Sequence, residues 1–212
     1  MRTKFERDEL TDITVRYGSD GKHSKRAHRL VLCAASKFFD NMLSKHDFRE
    51  NQEGVVTLAI EDKDAAEVVL SCIYGAGYND QNHSRHALYF NIMVYAAADY
   101  CALPDLSRLA AKKFEDAAAP LFGSPNGCNL FIAAAKKAYE ETPPHDKVLR
   151  PLIAKLCVLN KDKLFSYPGF KSALQENAEL STDITFEFAT LNAEPSLRHR
   201  RHRNTPGGQG DW

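Results

Sequence analysis

An α+β fold, with a small sheet at the front of the chain and helices filling the rest, is predicted by three observations. Residues 11–27 alternate in polarity around a glycine turn, Val55 to Ile60 is a compact run of apolar and β-branched residues, and apolar residues recur at helical spacing from Lys63 onward. A length of 212 residues with 43% hydrophobic and 26% charged side chains suits one packed domain with an extension.

Each element follows from local chemistry. Ile13, Val15 and Tyr17 lie on one face of a half-buried strand. Gly18-Ser19-Asp20-Gly21 supplies a turn, and Lys22 to Ala27 returns as the second strand of a hairpin. Leu30, Val31, Ala34 and Ala35 then form a short apolar helical face. Ser36 is placed to cap a second short helix carrying Phe38, Phe39, Met42 and Leu43. Val55 to Ile60 is a third strand, and Asp62 or Lys63 opens a helix whose Ala65, Val68, Val69, Cys72 and Ile73 share a face.

Tyr74 to His86 has little periodicity and reads as a loop. Helices are expected at about Ala87 to Tyr100 and from Pro104, the latter burying Leu106, Leu109, Ala110, Phe114 and Ala117. After a break at Pro120 to Asn126, Cys128 to Glu141 is helical and Thr142-Pro143-Pro144 stops it. Val148, Leu149, Leu152, Ile153, Leu156 and Cys157 mark a further helix, with shorter pieces at Phe170 to Asn177 and Asp183 to Leu191. From Pro195 no apolar periodicity survives, and the tail is expected to be disordered.

Composition narrows the function. The 28 basic and 28 acidic side chains cancel, but the tail from Leu197 holds Arg198, Arg200, Arg201 and Arg203 against Asp211, leaving residues 1–196 with a net charge of −3. A body of that charge does not attract nucleic acid, so any such contact falls to the tail and is weak and salt-sensitive. The tail reads either as the import or nucleic-acid element of a nuclear transcription or chromatin-associated scaffold, or as a solvated end. No apolar run approaches the ~18 residues of a membrane helix and the start MRTKFERDEL is charged, so a cytoplasmic or nuclear protein with no membrane contact is expected. Five cysteines without a CxxC pair read as reduced, buried thiols.

No catalytic constellation, cofactor or metal is expected. Phosphate-cradling glycine motifs, GxSxG and HExxH are absent from the sequence. His83 and His86 share one helical turn but lack the third and fourth ligands that zinc requires. Cys33 lies near His28, yet its apolar run Leu30 to Ala35 favours a small buried hydrophobe over a reactive thiolate. The pairs Phe38-Phe39 and Tyr89-Phe90 read as core.

The ordered residues also carry a family pattern. Asp12-Ile13-Thr14-Val15, followed by Ala27-His28-Arg29-Leu30-Val31-Leu32-Cys33-Ala34-Ala35-Ser36-Lys37-Phe38-Phe39, resembles the BTB/POZ signature of a "D-[IV]-x-V" strand leading to "AH+xVLxxxSxxF". Ile73-Tyr74 with Gly77-Tyr78 resembles its "YTGxY" segment, and Ala98-Asp99-Tyr100 with Leu103-Pro104-Asp105-Leu106 its "ADxYxxxxL" junction. The resemblance covers residues 9–119 and implies a BTB/POZ fold, a small sheet of three or more strands flanked by a helical cluster. The helices of 120–194 are similar to the BACK-like extension that often follows, and 195–212 form a basic, glycine-rich tail. The short form resembles stand-alone BTB proteins of filamentous fungi.

The resemblance implies a protein-interaction module rather than an enzyme. Phe48-Arg49-Glu50 looks like the hydrophobic-x-Glu turn that docks a cullin scaffold of RING-type ubiquitin ligases, with Phe48 as aromatic anchor and Glu50 as register. Phe48 as plain core is the competing reading. Residues matching Asp12 and Arg29 lie together in a charged groove, kept for fold geometry or for a partner. Fold geometry is favoured, since removing one member of a buried pair costs about 3–5 kcal/mol. His28 is expected to hydrogen-bond within the fold. Only Met1 to Leu10 precedes the first strand, too short for the helix through which dimeric members swap, which leaves self-association by another face or a monomer. No substrate-recognition domain follows, so targets would be held by the extension or the groove.

Overall fold

The computed structural model describes residues 10–44, 53–80 and 86–192. Among them the sheet has the order β2-β1-β3. β1 (Ile13–Tyr17) and β2 (His23–Ala27) pair antiparallel, Ile13 opposite Ala27 and Tyr17 opposite His23. β3 (Val55–Thr57) lies parallel to β1 on the other side, Val56 beside Val15. The alternation does what it predicts: Ile13, Val15 and Tyr17 are buried. Gly18 makes the hairpin possible, with φ at +80° and a site where a Cβ would stand 2.8 Å from His23 Cδ2.

The third strand is shorter than the six residues expected. Leu58 N–H still donates to Arg16 O at 2.8 Å, and Gly18 N–H to Ile60 O at 2.8 Å, so Leu58 and Ile60 stay buried after the regular ladder ends. α1 (Arg29–Ala35) and α2 (Lys37–Leu43) follow the hairpin, and Ser36 caps α2 by accepting from Phe39 N–H at 3.3 Å. The same hydroxyl donates to Cys101 O at 2.5 Å, tying this corner to the centre of the molecule. Leu30, expected on the apolar face of α1, is 80% exposed.

α3 (Lys63–Ile73) starts where Asp62 accepts from Ala65 N–H at 2.9 Å. α4 (Ala87–Tyr100) is apolar on nearly every side because it is the central helix, buried from Leu88 to Ala98 on several faces. α5 (Pro104–Ala118) opens on its proline and buries Leu106, Ala110 and Phe114, but Leu109 is 42% exposed against expectation. A 3₁₀ turn (Ala119–Gly123) leads into α6 (Pro125–Glu141), which begins before the expected Cys128 because Ser124 caps Gly127 N–H at 3.1 Å. Gly127 is needed there, since a Cβ would stand 2.1 Å from Leu121 O.

α7 (Leu149–Leu159) starts after Val148, and a one-turn α8 (Lys161–Leu164) that the periodicity did not reveal follows it. α9 (Pro168–Glu176) and α10 (Ala178–Asn192) complete the described chain. α10 begins five residues ahead of the expected Asp183, because Asn177 Oδ1 caps Leu180 N–H at 2.9 Å. One apolar core runs from Ile13 and Val15 in the sheet through Phe90 and Phe114 to Phe131, Ile153 and Leu180. Among the five cysteines, Cys101, Cys128 and Cys157 are buried as expected, whereas Cys33 and Cys72 are half-buried, and all five are free thiols.

Candidate protein-interaction surface

Asp12 and Arg29 meet through the main chain. Asp12 Oδ1 accepts from Arg29 N–H at 2.7 Å. His28, at the N-cap of α1, makes no side-chain cap, so a carboxylate from the start of β1 satisfies an orphan donor of that helix instead. Asp12 is exposed, which corrects the expectation of a buried pair. Beside it the Tyr74 hydroxyl accepts from His28 N–H at 2.8 Å and lies 2.9 Å from His28 Nδ1, so the start of α1 is pinned to the end of α3.

Phe48 and Glu50 lie outside the described residues, as do Arg198, Arg200, Arg201 and Arg203. The segment carrying Phe48 and Glu50 joins α2, whose Phe39 and Leu43 are buried, to the edge strand β3. Cys33 is not paired with His28: its Sγ is 3.8 Å from Phe39 O, and burial together with the Asp40 carboxylate pushes the thiol up. His86 Nδ1 accepts from Leu88 N–H at 3.2 Å as the cap of α4, while His83 lies outside the described residues. Among the described residues no three His, Cys, Asp or Glu side chains converge on a metal-sized site, and no helix is long and apolar enough to cross a membrane.

Two grooves open on this framework. The first, about 490 Å³, lies between the end of α3 and the start of α5 and is lined by Ala35, Cys72, Ile73, Leu103, Leu106 and Leu109. The second, about 420 Å³, lies between the β3–α3 link and α4, with Met93, Ala96 and Tyr100 as its floor and Glu61, Asp62 and Glu141 on its rim. Tyr100 is held in place by Phe38, ring centroids 4.8 Å apart, and accepts from Ala59 N–H at 3.4 Å. Open grooves with apolar floors and charged rims suit the docking of an extended or helical segment of another chain.

Two buried charged groups, neither singled out by sequence reasoning, tie neighbouring elements together. Asp80 accepts from Asn91 Nδ2 and from Lys113 Nζ, each at 3.0 Å, while Tyr78 donates to Asn91 Oδ1 at 2.9 Å. Burial alone would raise the Asp80 carboxyl, but the bonds from Asn91 and Lys113 outweigh it and hold the group below the usual carboxylate value. Arg150, 3% exposed, donates to Thr142 Oγ1 at 2.9 Å, to Tyr139 O at 2.9 Å and to Thr142 O, and pairs with Glu179 at 2.5 Å. Tyr95 of α4 donates to Asp146, which itself accepts from Arg150 N–H at 2.8 Å. A signal for Arg150 was present: it stands three and four positions before Ile153 and Ala154, on the buried stripe of α7. Asp80 had none, since it sits in a segment without periodicity.

A family model describing the BTB/POZ domain matches residues 1–116. The chain belongs to the BTB/POZ family, whose domain is a protein–protein interaction module that also mediates self-association. No curated protein matches the chain significantly.

Proposed function

We propose that this chain is an adaptor that holds a cullin scaffold through Phe48-Arg49-Glu50 and a second protein through its helical extension. The observation that carries the reading is the three-residue sequence motif itself, which lies inside the matched family region and, in sequence, between α2 and the edge strand β3. One aromatic anchor beside one acid is the composition of a binding hot spot. The helices beyond residue 119, BACK-like in pattern, supply the second surface. Such an adaptor works in the cytoplasm or nucleus.

The test is capture of full-length chain by the cullin of its own source, comparing wild type with Phe48→Ala plus Glu50→Ala. Capture is expected to fall at least ~30-fold, the size of a central hot-spot loss, while the thermal unfolding midpoint stays unchanged. Equal capture removes the adaptor reading, and a collapsed midpoint assigns Phe48 to the core instead.

A further inference from the structure

The second groove and the basic end of the chain are complementary. Its rim carries the three carboxylates of Glu61, Asp62 and Glu141. Glu61 is exposed and makes no ion pair with another described residue. Lys137, the base that meets Glu141 at 2.6 Å, is shared with Glu140 at 3.3 Å. Against this rim the sequence sets four arginines within Arg198 to Arg203, in a chain whose first 196 residues carry a net −3.

We propose that the segment Arg200 to Arg203 docks in this groove in cis, its guanidinium groups on the acidic rim and one of them over the exposed ring of Tyr100. Arginine suits that position because its planar head pairs with carboxylates and stacks on an aromatic face. The reach is sufficient. Glu179, in the first turn of α10, pairs with Arg150, and Arg150 also bonds Thr142, the neighbour of the rim residue Glu141. α10 is about 22 Å long, and the residues from Asn192 to Arg200, Arg201 and Arg203 span up to about 26, 30 and 36 Å, so these three arginines can return along α10 to the rim, whereas Arg198, about 20 Å on, falls short. Exposed ion pairs are individually weak and screened by salt, so the docking is reversible and needs several arginines at once.

The experiment uses the full chain. Backbone amide spectra of wild type and of a variant with Arg198, Arg200, Arg201 and Arg203 each changed to Gln are compared at low and high salt and at two protein concentrations. Differences are expected at residues 59–62, 96–100 and 141, lost at high salt and independent of concentration. Differences confined to the tail, or placed on another surface, overturn the proposal. Differences that grow with concentration overturn it in favour of a second copy, and tail changes that appear only on adding duplex DNA overturn it in favour of nucleic acid. In a second arm, Glu61→Lys plus Glu141→Lys is expected to speed trypsin cleavage within Arg200 to Arg203 about tenfold, as for a segment docked about nine-tenths of the time. Equal cleavage of wild type and variant also overturns it.

Discussion

Asp80 and Arg150 are the two charged side chains buried among the described residues, and the fold uses them in opposite ways. Asp80 lies in the family-matched part, where the alternating strand β1 and the apolar helix α4 already supply a core, and its carboxylate only pins one loop to α4 and α5. Arg150 lies in the extension, where it is the hub. It satisfies the carbonyls of Tyr139 and Thr142 at the C-terminal end of α6, which would otherwise be buried without donors, and it reaches α10 through Glu179. A positive charge at a helix C-terminus also complements the helix dipole. A sheet closes its own backbone bonds through its neighbours, whereas a stack of short helices leaves buried ends that side chains must close.

The largest effect expected from that contrast is at Arg150. Arg150→Met removes the donors to two buried carbonyls and Thr142 Oγ1, while the half-exposed Glu179 is left to water, at a cost of about 3–5 kcal/mol from the unsatisfied acceptors. Hydrogen exchange resolves where the loss falls: amides of residues 149–192 are expected to lose protection while those of β1 and α4 keep theirs. Arg150→Lys is expected to recover little, because one ammonium cannot serve carbonyls, hydroxyl and carboxylate in a single planar geometry. Uniform loss of protection through both regions would break the comparison.

A smaller effect is expected at Asp80. Asp80→Asn offers one acceptor where the carboxylate offers two, to the two donors Asn91 Nδ2 and Lys113 Nζ, and is expected to cost about 2 kcal/mol at neutral pH. The carboxyl is held below its ordinary value in the folded state, so its contribution is present above the unfolded value near ~3.9 and is lost as pH falls through the folded one. Urea midpoints for wild type and Asp80→Asn are therefore expected to differ at pH 7 and to converge as pH drops below ~4. A gap that stays constant down to pH 3 would show that the variant acts through packing rather than charge.

Most of the fold was legible because its periodicities are strong: β1, the hairpin, α3 and α4 stand where alternation and helical spacing put them. The failures have local causes. α6 and α10 start early because Ser124 and Asn177 cap them, and caps carry no hydrophobic period. β3 ends early because its last residues bury side chains without regular pairing. Leu109 was assigned to the core by spacing alone, but it faces the first groove, and a groove wall follows the same helical spacing as a core. The grooves themselves were not legible, since each is assembled from three or more elements distant in sequence. Phe48, Glu50 and the tail arginines were legible as motifs only.

The smallest effect expected sharpens the contrast from the side of the sheet. Asp12 closes an orphan donor of α1 from outside that helix, as Arg150 closes orphan acceptors of α6, but it does so in solvent. Water can replace an exposed cap, so Asp12→Ala is expected to cost only about 1 kcal/mol, read as a shift in the urea midpoint without a change in slope. The amides of Arg29 to Leu32 are expected to lose protection first, because the first turn of a seven-residue helix has few other restraints. A loss at Asp12 as large as that at Arg150 would mean that the family-matched region depends on charged closure as much as the extension does.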